Sequence, residues 1–127
     1  LSGRPAGLRS KPASGPGEGA RPGPERLRGL YVIIDPEFTR GRAETEVARL
    51  AIEGGARLIQ LRDKRREKGL QLAAAEALRA LCAKMGALFF VNDHVDLALA
   101  VGADGVHVGP KDLPVPVVRR LVPEAML

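Results

Sequence analysis

The sequence predicts an α/β protein built on a parallel sheet. Two observations carry this. Four short apolar runs, near residues 30, 58, 88 and 105, alternate with segments of helical periodicity. Glycines punctuate the ends of those segments, at Gly54-Gly55, Gly86 and Gly102. Buried strands alternating with amphipathic helices give a parallel sheet, because each crossover helix must cover it.

In chain order, Leu30-Tyr31-Val32-Ile33-Ile34 is a continuous apolar run ending at Asp35-Pro36, and reads as a strand buried on both faces. Residues 43–53 read as a helix with Val47, Leu50 and Ala51 on its inner stripe. Residues 58–62 form the second strand. Residues 67–85 form a long helix carrying Leu70, Ala74, Ala77, Leu78, Leu81 and Met85 at helical spacing, closed by Gly86. Residues 88–91 are the third strand, 93–101 a short helix, and 105–108 the fourth strand. A last helix spans 114–121, where Pro114 suits the first turn. Two architectures fit this alternation, a doubly wound open sheet and an eight-stranded barrel, and periodicity does not choose between them.

Residues 1–28 differ in kind. They hold five prolines and are rich in Gly, Ser and Arg, so the expectation is a disordered tail, with the domain running over 29–127. Six basic residues in this tail face two acidic ones, giving +4 of the chain's net +5. The body is therefore close to neutral, which argues against a nucleic-acid surface. The tail has no aromatic residue to stack on bases. No apolar run approaches the roughly 20 residues that span a bilayer. The single Cys82 rules out an internal disulfide and suits a reducing, cytoplasmic setting. The chain starts at Leu1, not Met, and stops on Met126-Leu127, so both ends are expected to lie inside a longer reading frame.

In either architecture chemistry sits at the C-terminal ends of the strands. Polar residues gather there. Gln60 and Arg62 are two apart on one strand face, and Lys64 follows. An arginine fork and a lysine point charge suit a phosphate or diphosphate. Asn92-Asp93 ends the third strand, and Asp112 follows the fourth. Two carboxylates beside phosphate-binding cations suit Mg²⁺, which takes one or two carboxylates, waters and phosphate oxygens. Simpler roles compete: Asp93 could cap a helix, Asp112 could open the last one, and Arg62 could pair with Asp63 or Asp35. A shared anion site accounts for all six residues with one cause. His107 reads as a packed or pocket-wall residue, His94 as exposed, Cys82 as a small core residue, and Asp96 and Asp104 as turn or helix-surface residues. No GxGxxG or GxxxxGK[ST] motif is present, which weighs against dinucleotide binding and nucleotide hydrolysis.

These segments resemble the thiamine-phosphate synthase family. The resemblance rests on the opening strand 30–36, on Gln60-Leu61-Arg62-Asp63-Lys64, on Val91-Asn92-Asp93-His94-Val95-Asp96-Leu97-Ala98, and on residues 102–109 followed by Asp112-Leu113-Pro114. It implies a (β/α)₈ barrel, of which this chain holds the first four β/α units. It also implies the coupling of hydroxymethylpyrimidine diphosphate with hydroxyethylthiazole phosphate, giving thiamine phosphate and pyrophosphate. By the same resemblance Asp93 and Asp112 bind Mg²⁺. Gln60, Arg62, Lys64 and Asn92 hold the pyrimidine diphosphate, and Arg62 and Lys64 are the catalytic pair. The thiazole-phosphate residues are expected beyond Leu127, so this chain alone is expected to be inactive. Small molecules are the expected partners, with no nucleic acid or membrane; homo-oligomerisation of a full-length protein is left open. Pro110 and Lys111 depart from the family's usual Gln followed by an acidic or small residue. Two other readings stand beside this one. A non-catalytic phosphate-binding module is one, and a paralogue that rearranges a thiazole phosphate without Mg²⁺ is the other. Retention of both Asp93 and Asp112 speaks against the latter.

Overall fold

The computed structural model describes residues 22–127. The tail expected over 1–28 lies outside it as far as residue 21; of the rest, Pro24–Arg26 form a 3₁₀ turn. Four strands follow: β1 (Leu30–Ile34), β2 (Ala56–Leu61), β3 (Leu88–Asn92) and β4 (Gly105–His107). They alternate with α1 (Glu44–Glu53), α2 (Lys68–Met85), α3 (Val95–Val101) and α4 (Val115–Leu121).

All strand pairs are parallel, and the sheet order is β1-β2-β3-β4. This order decides between the two architectures. A doubly wound sheet reverses direction partway and carries helices on both faces. Consecutive order with crossovers of one hand puts every helix on the same face. The packing agrees. Val32, Ile34, Ile59, Leu61, Phe89, Val91 and Val106 alternate along the strands and meet Ala48, Ala75, Leu78, Cys82 and Val118 from the helices. These are consecutive units of a (β/α)₈ barrel. Pairing continues past β4, where Met126 bridges Gly105 in parallel.

The other sheet face has its own smaller apolar layer: Leu58, Leu88, Phe90 and Met126. Register sets its shape. Gln60 lies opposite Ile33 and Phe90, and Phe90 lies opposite Gly105. A Cβ at Gly105 would overlap the Phe90 ring, so glycine there lets the ring lie across β4. Tyr31 packs on the same ring, with centroids 5.5 Å apart.

Several expectations change. β1 is not buried on both faces: Leu30 and Ile33 are 60% and 55% exposed, and only Ile34 is fully buried. β1 is an edge strand of this sheet, with one neighbour where a central strand has two. The buried positions of α2 are Gln71, Ala75, Leu78 and Cys82; of the expected stripe Leu78 is buried and Ala74 and Leu81 pack against the core, while Leu70 is exposed. Leu50 is likewise exposed, and Ala48 takes the buried position of α1. Cys82 is a core residue as expected, and burial pushes its thiol up to about 12. Gly86 ends α2 with φ 79°, a left-handed conformation that glycine adopts freely.

Candidate active site at the strand ends

The C-terminal ends of the strands carry a dense set of ion pairs. Arg62 follows β2, and its N–H donates to the Ile34 carbonyl at 2.8 Å, which extends the β1–β2 ladder by one residue. Its guanidinium donates to Asp35 Oδ2 at 2.6 Å. Of the simpler roles considered for Arg62, pairing with Asp35 is the arrangement seen. Asp35 also accepts from the Glu37 N–H at 2.9 Å, which fixes the turn after β1. Lys64 Nζ reaches across to Asp93 Oδ2 at 2.8 Å.

Asp93 is placed by unusual backbone. Its φ is +66°, a left-handed conformation that asparagine and aspartate tolerate better than most residues. Its N–H donates to the His107 carbonyl at 2.8 Å, so β3 stays tied to β4 through this position. The Asp93 side chain does not cap α3, whose N-cap is His94 and has no side-chain cap. Strained backbone of this kind persists where surrounding structure enforces it, often at functional sites.

Asp112 is brought to Asp93 by a turn. Gly109 and Asp112 close it with a 3.1 Å backbone bond, and the Gly109 N–H donates to Asp112 Oδ2 at 2.6 Å. Pro110 and Lys111 are its two central residues. Proline is favoured at the first of these, so Pro110 suits the turn. Asp112 does not open α4, whose N-cap is Pro114.

The electrostatics follow. Burial works to raise the Asp93 carboxyl. The Lys64 hydrogen bond, the neighbouring Asp112 and the Lys64 charge outweigh it and hold Asp93 below the usual carboxylate range. Two neighbouring carboxylates, of which Asp93 holds the Lys64 ammonium, form a cation-binding arrangement. Among the described residues no group of three or more His, Cys, Asp and Glu gathers as a metal site. A donor set of two carboxylates fits Mg²⁺, which completes its shell with water and phosphate oxygens. It does not fit zinc.

The remaining expected residues lie nearby. Gln60 is buried on the helix-free face, and its Nε2 donates to the Tyr31 hydroxyl at 2.7 Å. Asn92 is buried at the end of β3, in register with His107. His107 itself is exposed, not packed. Beside Arg62 and Lys64 lies a cleft of about 410 Å³ lined also by Asp35, Glu37, Asp63, Arg65 and Arg66.

Sequence reasoning passed over Tyr31 and gave Asp63 the wrong role. Tyr31, on the helix-free face, positions Gln60. Asp63 does not pair with Arg62. Asp63 is 4% exposed and accepts three hydrogen bonds from the loop that follows it. An aspartate two positions before the N–H groups of a loop is a local turn signal that was available in the sequence. Two further corrections apply. His94 is half-buried, with Nε2 3.2 Å from the Asp63 carbonyl. Asp104 is not a surface residue: it is buried, accepts from the Phe89 N–H at 2.9 Å and pairs with Arg79.

Residues 30–127 match the family model described as thiamine monophosphate synthase. Among curated proteins, a thiamine-phosphate synthase from Methanoculleus marisnigri is 54% identical over 98 residues, covering 77% of this chain and 46% of that protein. One from Laribacter hongkongensis is 51% identical over 100 residues, covering 77% and 47%. Among solved structures, a thiamine phosphate pyrophosphorylase from Pyrococcus furiosus superposes with a TM-score of 0.73 at 43% identity, covering 79% of this chain and 48% of that one. The chain thus spans just under half the length of these relatives.

Proposed function

The chain belongs to the thiamine monophosphate synthase family, and on that premise we propose that the protein carrying it is a transferase of thiamine biosynthesis. It joins hydroxymethylpyrimidine diphosphate to hydroxyethylthiazole phosphate and releases pyrophosphate. The observation that carries this is the meeting of Lys64, Asp93 and Asp112 at adjacent strand ends. In this reading the chain supplies the diphosphate end of the site, and the thiazole-phosphate end comes from β/α units outside these four.

In the reaction the bond between the pyrimidine methylene carbon and the diphosphate oxygen breaks, and the electron pair leaves with pyrophosphate. The positive charge left on carbon spreads into the pyrimidine ring, and the thiazole nitrogen forms the new bond. The chain's task is to bind the diphosphate and stabilise its growing charge. Arg62 and Lys64 do this as fork and point charge. Without ligand both are matched to carboxylates, Asp35 and Asp93, so an incoming diphosphate competes for cations already held in place. Asp93 and Asp112 would hold Mg²⁺, which when bound neutralises charge on the leaving group. Gln60, pinned by the Tyr31 hydroxyl, and Asn92 orient the pyrimidine diphosphate through their amides. The proposed setting is the cytoplasm, in keeping with a single cysteine that is buried.

The test is to incubate the protein with both substrates and Mg²⁺ and follow thiamine phosphate and pyrophosphate by chromatography. Equal amounts of both products are expected. A folded full-length protein that forms neither would overturn the proposal.

A further inference from the structure

Lys64 is held at its tip by Asp93, but its backbone belongs to no helix or strand. It is half-exposed, sits in a loop between β2 and α2, and carries a flexible four-carbon stem. Its neighbour Asp63 is the opposite. Asp63 Oδ1 accepts the N–H groups of Arg65 and Arg66 at 3.1 and 3.0 Å, and Oδ2 accepts Arg66 Nε at 2.5 Å. The residues around it are braced from three helices. Arg66 Nη2 lies 3.6 Å from Glu44 Oε1 in the first turn of α1. The Arg66 carbonyl accepts from Gln71 Nε2 of α2 at 2.6 Å. His94, at the start of α3, reaches the Asp63 carbonyl. The loop that presents Lys64 is therefore folded around one buried carboxylate and tied to α1, α2 and the start of α3.

We propose that Asp63 is a positioning residue, which sets the β2–α2 loop so that Lys64 is delivered to the diphosphate. This rests on the diphosphate reading of Lys64 above. Asp63 does not itself touch the ligand. Both its carboxylate oxygens are taken up by Arg65 and Arg66, and it acts by fixing the backbone that follows Lys64. Loss of such a supporting contact to a ligand-binding residue costs on the order of 10- to 100-fold in function.

A double-mutant cycle in the full-length protein tests it, with Asp63→Asn, Lys64→Ala and the pair. The readout is kcat/KM for hydroxymethylpyrimidine diphosphate, with KM for the thiazole phosphate as internal control. Asp63→Asn is expected to lower the first by at least tenfold, at the low end of that range. It should leave the second unchanged, and Asp63→Glu should recover part of the loss. Once Lys64 is alanine, Asp63→Asn should cost little more, because there is no ammonium left to aim. If Asp63→Asn imposes its full loss on top of Lys64→Ala, or moves both substrates in step with the folded fraction, its role is structural only and the proposal is overturned. If the wild-type protein makes no thiamine phosphate, the same cycle is read as binding of inorganic pyrophosphate with Mg²⁺. A wild type that turns over and binds, with an Asp63→Asn protein that matches it, refutes only the positioning role. A wild type that does neither refutes the diphosphate reading and this inference with it.

Discussion

Lys64 Nζ stands 2.8 Å from Asp93 Oδ2, and this contact joins the end of β2 to the end of β3. Lys64 is half-exposed, so the pair contributes little to stability, under about 1 kcal/mol. Its importance is place. The ammonium rests on a carboxylate that neighbours Asp112, and Lys64 lines one cleft with Arg62. Lys64→Ala should therefore leave the urea unfolding midpoint nearly unchanged while weakening pyrophosphate binding at least tenfold, about the 1.4 kcal/mol expected of a charge-assisted contact. Equal binding by the variant would remove Lys64 from the site.

Asp104 predicts the reverse. It lies before β4, at the N-terminal end of the sheet, where conservation of structure serves stability. Asp104 and Arg79 are both largely buried, at 4% and 15% side-chain exposure, and Asp104 also accepts the Phe89 N–H. Asp104→Ala strands a buried guanidinium and should cost about 3 kcal/mol. Chemical denaturation measures that loss, and pyrophosphate affinity of the folded fraction should stay at the wild-type value.

Acid should unfold the chain partly through Asp63 and Asp93. Burial acts to raise both carboxyls. Hydrogen bonds from the Arg65–Arg66 loop outweigh it at Asp63, and the Lys64 hydrogen bond with the neighbouring Asp112 outweighs it at Asp93, so both stay below the usual value. A group with a lower pKa when folded binds protons more tightly when unfolded. Its stabilisation is present above the unfolded aspartate value, about 3.9, and drains as pH falls through the lower folded values. Urea midpoints measured from neutral pH into that range should fall, and Asp63→Asn should fall less steeply than wild type. Parallel curves would contradict the assignment to Asp63.

Cys82 should be inert in the native protein. It is buried, and with its thiol pushed up to about 12 almost no thiolate is present at neutral pH. A thiol reagent should label it only after denaturant is added. Rapid native labelling would mean that α2 opens readily from the sheet.

Much of this was legible in the sequence because the governing signals are local. Apolar runs with glycine stops placed all four strands and helices to within about three residues, as expected for element ends. The strand-end rule picked out Gln60, Arg62, Lys64, Asn92, Asp93 and Asp112 before any geometry was known. What escaped depends on long-range neighbours. The exposure of Ile33 follows from β1 standing at the sheet edge, which no pattern within residues 30–34 encodes. The buried stripe of α2 takes in Ala75 and Cys82 beside the expected Leu78, while Leu70 stays exposed. Asp104 looked like a turn residue because its partner, Arg79, lies 25 positions away. The contact between Asp93 and Asp112 needed the left-handed backbone at Asp93 and the Pro110-Lys111 turn to act together.

The central claim is that the strand ends form a diphosphate site completed by Mg²⁺ on Asp93 and Asp112. Calorimetric titration of inorganic pyrophosphate into the protein, with and without Mg²⁺, tests it most directly. Binding should require Mg²⁺, and should be lost in both Asp93→Asn and Asp112→Asn while each variant keeps the wild-type circular dichroism spectrum. Pyrophosphate binding of equal strength without Mg²⁺, or undiminished in the two folded variants, would contradict it.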